Sequence, residues 1–236
     1  MSSKLIVALD VNDLNEAKNL VTVLGDSVNY YKVGLELFLN TGGKVLEFLK
    51  DQKKKIFLDL KFHDIPNTVA QAAKWATTLG VDMFNVHASG GREMLQKVSE
   101  VVSETAKAQK IDKPLVIAVT ILTSFNEEGI TEVGYNGSIE NLATNLAKLT
   151  KEGGLDGVVC SPKEVENIKK VCGREFITVC PGVRPKWSVS GDQKRIMTPK
   201  DAIEIGADFL VVGRPITKSN DPYEAAMKII NEMEQI

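Results

Sequence analysis

Cysteine is scarce in this chain: Cys160, Cys172 and Cys180 are the only three, and they form no C-x-x-C pair. An odd set of isolated thiols supplies neither a disulfide framework nor a zinc site, so we read the cysteines as small buried hydrophobes in a reducing compartment. Long apolar runs are missing too. None approaches the roughly 18–20 residues of a membrane span, and the chain enters a first strand at Lys4-Leu5-Ile6 without a signal-peptide core. These absences lead to the expectation of a cytoplasmic protein with no membrane partner. Charge of one sign is also lacking, for the net charge is only -2. That argues against a general nucleic-acid or anionic-lipid surface and makes any anion site a local one. Dinucleotide, P-loop and H-E-x-x-H patterns are absent, and the paired glycines Gly42-Gly43 and Gly90-Gly91 lack the G-x-G-x-x-G spacing. No linker or low-complexity tract interrupts the chain.

What is present is alternation. With 236 residues, 43% of them hydrophobic and 25% charged, the chain suits one globular domain over residues 1–236. Short β-rich runs alternate with amphipathic helical stretches, the pattern of parallel βα units rather than hairpins. We count eight strands, at 5–9, 30–33, 56–61, 82–87, 115–119, 157–160, 176–180 and 209–212. Helices are expected at 42–50, 66–79, 92–108, 138–152 and 222–233, with Asn12 or Asp13 capping the first and Ser161-Pro162 and Thr198-Pro199 opening two more. Residues 123–137 read as a loop with room for a short helix, and 181–193 as a long loop. Eight such units predict an α/β fold of the (β/α)8, or TIM, barrel type, with a doubly wound open sheet as the alternative.

In a barrel of this kind the chemistry lies at the C-terminal ends of the strands. Those ends carry an unusual set of charges. The first strand runs into Asp10, the second contains Lys32, and the third reads Phe57-Leu58-Asp59-Leu60-Lys61-Phe62-His63-Asp64-Ile65-Pro66. Alternation along a strand places Phe57, Asp59 and Lys61 on one face. At about 4 Å and an effective dielectric near 20, each opposite pair gains on the order of 4 kcal/mol before desolvation, so alternating signs would be needed to keep all of them ionised. Solvated strand-end charge, or a plain salt bridge, is the other reading of any one of these residues.

The last two strand ends look suited to phosphate. They supply Pro181-Gly182-Val183-Arg184 and Gly213-Arg214, where glycine lets backbone N–H groups approach an anion and arginine offers a forked charged donor. An exposed turn arginine is the alternative for either one taken singly. His87, at the fourth strand end, reads as a structural histidine or as an acid or base, and His63 has no role fixed by its position.

Asp59-x-Lys61-x-x-Asp64, together with Leu122-Thr123-Ser124, Pro181-Gly182-Val183-Arg184-Pro185, Asp192-Gln193 and Val212-Gly213-Arg214, resembles the orotidine 5′-phosphate decarboxylase family along the whole chain. Cys180 departs from the hydroxyl residue expected before Pro181-Gly182. The resemblance implies decarboxylation of orotidine 5′-phosphate to UMP, the last step of UMP synthesis, with no cofactor and no metal. It implies Lys61 as proton donor to pyrimidine C6, Asp59 against the substrate carboxylate, and Lys32 and Asp64 completing the charge network. Asp10 and Lys32 would hold the ribose hydroxyls, Thr123 the pyrimidine, and Arg184, Gln193, Gly213 and Arg214 the phosphate. A homodimer is implied, with Asp64 and Thr68 reaching the neighbouring subunit's site. A related metal-dependent decarboxylase of 3-keto-gulonate 6-phosphate shares D-x-K-x-x-D but places a metal-binding Glu where this chain has Lys32. A non-catalytic phosphate-binding barrel is the remaining alternative.

Overall fold

Alternation of short apolar runs with amphipathic stretches becomes eight parallel strands with helices between them in a computed structural model that describes residues 4–188 and 197–235. The strands are β1 (Leu5–Ala8), β2 (Tyr30–Gly34), β3 (Lys55–Phe62), β4 (Met83–His87), β5 (Leu115–Val119), β6 (Gly157–Val159), β7 (Ile177–Pro181) and β8 (Phe209–Val212). They follow one another in sequence order around a closed barrel. The expected fold class is the observed one. Strands buried on both faces explain the near-continuous Val, Ile and Leu of β1, β5 and β8, since a parallel strand has no solvent face to alternate toward. All three cysteines are buried free thiols.

The backbone falls into two compact units, the first running to Asp59 and resuming at Cys180, the second covering Leu60–Val179. In the first, β1 pairs with β2 (Ala8 opposite Lys32), β2 with β3 (Gly34 opposite Asp59) and β1 with β8 (Val7 opposite Val212). In the second, β4 pairs with β5 (His87 opposite Val119), β5 with β6 and β6 with β7. There the helices Pro66–Thr78 and Gly91–Gln109 pack against each other.

Helix starts agree with the capping chemistry. Asp13 accepts from the amides of Asn15 and Glu16, and Ser161 and Thr198 each form a capping box with the acid three residues on. The helix expected at 42–50 is Lys44–Asp51, and a further helix, Leu35–Thr41, precedes it; Gly42 and Gly43, both at positive φ, separate the two. A short helix, Glu127–Glu132, sits in the 123–137 loop, and another, Arg214–Thr217, follows β8 directly. Among the described residues no helix is long and apolar enough to cross a membrane.

Candidate active site

The register of β1, β2 and β3 in the first unit brings three of the sequence-selected charges together. The Lys32 ammonium lies 3.0 Å from Asp10 Oδ1 and 3.2 Å from Asp59 Oδ2. The side chains of Lys32 and Asp59 are 13% and 11% exposed, whereas that of Asp10 is 54% exposed, so the Asp59 pair is the less screened of the two. Burial alone would pull the Lys32 amine down. The Asp59 and Asp10 carboxylates outweigh that penalty, and the group titrates above the ordinary lysine range. Lys32 is therefore a fixed cation between two anions.

Two glycines make room for this cluster. A Cβ on Gly34 would stand 3.0 Å from the Lys32 ammonium, and one on Gly213 would stand 3.1 Å from Asp10 Oδ2. Gly213 thus belongs to the charged cluster through Asp10 as well as to the turn after β8. Arg214 follows it, exposed, as the first residue of Arg214–Thr217. Arg184, beyond β7, is half-buried, and its amide donates to the Met197 carbonyl at 3.2 Å. Gln193 lies outside the described residues.

Lys61 follows Asp59 on the same strand, but simple alternation does not carry through to it. Its φ is +52°, in the left-handed region, so the direction of its side chain is set by that backbone angle rather than by the pleat. Its amide donates to Oδ1 of Asn85, on β4, at 2.8 Å. Asn85 was not among the residues the sequence singled out. The signal was one polar side chain at the centre of the apolar run Met83-Phe84-Asn85-Val86, and its burial is nearly complete at 1% exposed. His63 and His87 lie with ring centroids 5.2 Å apart. Beyond them the chain turns outward. Asp64, Ile65 and Thr68 are exposed, Asp64 Oδ1 accepts from the Ile65 amide, and Pro66 opens the helix as its first residue. Thr123, after β5, is exposed and lines a cavity of about 300 Å³ with Phe125, Ser161 and Glu164.

Parallel strands closed in sequence order define a (β/α)8 barrel, and β1, β2 and β3 carry the Asp10–Lys32–Asp59 ion pairs toward their C-terminal ends, where such barrels place their chemistry. Residues 3–229 match the model of the orotidine 5′-phosphate decarboxylase / HUMPS family. Orotidine 5′-phosphate decarboxylase of Carboxydothermus hydrogenoformans is 50% identical over 236 residues, covering 100% of this chain and 98% of that protein. That of Syntrophotalea carbinolica is 52% identical, covering 98% and 94%. The crystal structure of orotidine 5′-phosphate decarboxylase from Lactobacillus acidophilus superposes with a TM-score of 0.87 at 38% identity, covering 99% of this chain and 100% of that one. The chain belongs to the orotidine 5′-phosphate decarboxylase / HUMPS family.

Proposed function

We propose that this protein decarboxylates orotidine 5′-phosphate to UMP, the closing step of UMP synthesis, as a carboxy-lyase that needs no cofactor. The observation that carries the reading is the Asp10–Lys32–Asp59 cluster leading into Lys61 on one strand, in a chain about half identical over its full length to proteins named for this activity.

Loss of CO₂ leaves a localised carbanion at C6 of the pyrimidine. An ammonium held beside that carbon stabilises the charge as it develops and then supplies the proton, and Lys61 takes that role. Asp59 lies against the departing carboxylate, and Lys32 holds Asp59 in place. Asp10 and Lys32 also bind the ribose hydroxyls. Thr123 contacts the pyrimidine, and Arg184, Gln193, Gly213 and Arg214 grip the phosphate. That grip is remote from the reacting carbon, so its binding energy serves kcat as well as KM. Asp64 and Thr68 complete the site of a second copy in a homodimer. Their exposure beside Ile65, which is 68% exposed, supports that placement. We take the working unit to be one domain per chain, acting in the cytoplasm.

Lys32 also bears on the metal-dependent alternative. Its ammonium occupies the space between the Asp10 and Asp59 carboxylates, where a divalent cation would have to displace it. The test is conversion of orotidine 5′-phosphate to UMP by chelator-treated protein, followed by ultraviolet absorbance. Turnover is expected to be unaffected by chelator. Absence of turnover by folded protein would overturn the reading, and turnover of 3-keto-gulonate 6-phosphate that needs added Mg²⁺ would replace it.

A further inference from the structure

Among the described residues, three other than glycine adopt a φ in the left-handed region: Lys53, Lys61 and Lys110. Two of them have an ordinary explanation. Lys110 is the C-cap of the helix Gly91–Gln109, its amide donating to the carbonyls of Ala106 and Lys107. Lys53 follows the helix Lys44–Asp51 and donates to the Lys50 carbonyl at 2.8 Å. A left-handed residue is a common way for a helix to stop. Lys61 has no helix before it. It lies inside β3, where residues with a Cβ keep negative φ, and it is the residue on which the proposed chemistry depends.

An unfavourable backbone conformation persists only where its surroundings over-determine it. Asn85 provides the contact that does so. It stands at the centre of β4, held in register by Ile117 of β5, and its Oδ1 accepts the Lys61 amide proton at 2.8 Å. With 1% of its surface exposed, there is little access for water to replace that acceptor. A carboxamide also suits the place chemically, because it accepts a hydrogen bond without adding another charge to a strand end that already carries several.

We propose that Asn85 is a positioning residue for catalysis: by holding the Lys61 amide it fixes the left-handed turn at Lys61 and so aims the ammonium at the reacting carbon. This rests on the role proposed for Lys61 above. A misaimed donor loses the transition state while leaving the substrate's phosphate and ribose contacts in place, so the loss falls on kcat.

The variant to make is Asn85→Leu, which removes the acceptor at similar volume, with Asn85→Asp as the rescue that keeps an oxygen there. For Asn85→Leu, kcat for orotidine 5′-phosphate is expected to fall roughly tenfold to a hundredfold, equivalent to about 1.4–2.7 kcal/mol of barrier. UMP affinity measured by calorimetry should stay within about threefold, and Asn85→Asp should recover part of the lost kcat. An unchanged kcat, or a rise in KM alone, would overturn the proposal. A readout independent of turnover is hydrogen exchange at the Lys61 amide of the wild-type protein. Protection comparable to the strand amides is expected, and exchange as fast as an exposed loop would overturn the proposal even if no variant folds. If the wild type does not decarboxylate orotidine 5′-phosphate, the functional reading fails, while exchange and a crystal structure of Asn85→Leu still decide whether Asn85 sets the backbone of Lys61.

Discussion

Asp59 and Lys61 are two residues apart on β3, and a neighbouring strand reaches each: an ammonium meets the Asp59 side chain and a carboxamide meets the Lys61 amide. Asp59 is fixed by charge, through an ammonium 3.2 Å away that itself titrates above the ordinary lysine range. At Lys61 a neutral carboxamide accepts the backbone amide proton while φ stands at +52°. The first device sets an ammonium against a buried carboxylate. The second sets a direction. A site that must present an ammonium to one carbon needs both, because charge without aim gives binding and aim without charge gives no stabilisation of the carbanion.

Glu164 sharpens that comparison. Like Asp59 it is a buried carboxylate, and its Oε2 accepts from the Ser161 amide. Burial pushes its carboxyl up to about 7, the Ser161 amide offsetting only part of the effect. Asp59, by contrast, has the Lys32 ammonium against it.

The charge-held half is broken most severely by Lys32→Met, which leaves Asp59 buried without its ammonium. We expect a loss of about 2–4 kcal/mol in urea unfolding, with turnover lost as well. A stability change under about 0.5 kcal/mol would show that Asp59 does not depend on Lys32. Arg214→Ala removes an exposed charged donor and leaves the cluster intact. UMP affinity should fall by roughly 1.5–3 kcal/mol, whereas uridine affinity should hardly change; an equal loss for both would remove Arg214 from the phosphate grip. The effect confined to stability concerns Glu164. Its folded-state value lies above its ordinary 4.5, so the native protein holds the proton more tightly than the unfolded chain. Stability is thus greatest at low pH with respect to this group, declines as pH rises from about 4.5 to about 7, and levels off above. Glu164→Gln should flatten that decline, and an unchanged profile would show that the carboxyl is not responsible.

The charges were legible in the sequence because alternation and strand order suffice to bring them together. Asp10, Lys32 and Asp59 lie at the ends of consecutive strands, and in a parallel barrel consecutive strands are neighbours. Strand limits were legible to within about a residue, helped by the Asp10, Gly34, Pro181 and Gly213 that close the first, second, seventh and eighth runs. The backbone of Lys61 was not. Nothing in Leu60-Lys61-Phe62 calls for a left-handed residue, and the group that holds it comes from β4, 24 residues on. The helix Leu35–Thr41 was missed because Gly34 reads as the end of a strand and Leu35, Leu39 and Glu36 leave it largely exposed, so its apolar periodicity is weak.

The central claim is that the Lys61 ammonium supplies the proton to C6. It is tested most directly by the turnover of orotidine 5′-phosphate by Lys61→Ala beside the chelator-treated wild type, with UMP affinity measured on the same samples. The account predicts a loss of at least about a thousandfold in kcat with UMP still bound. Near-wild-type turnover by Lys61→Ala would contradict it.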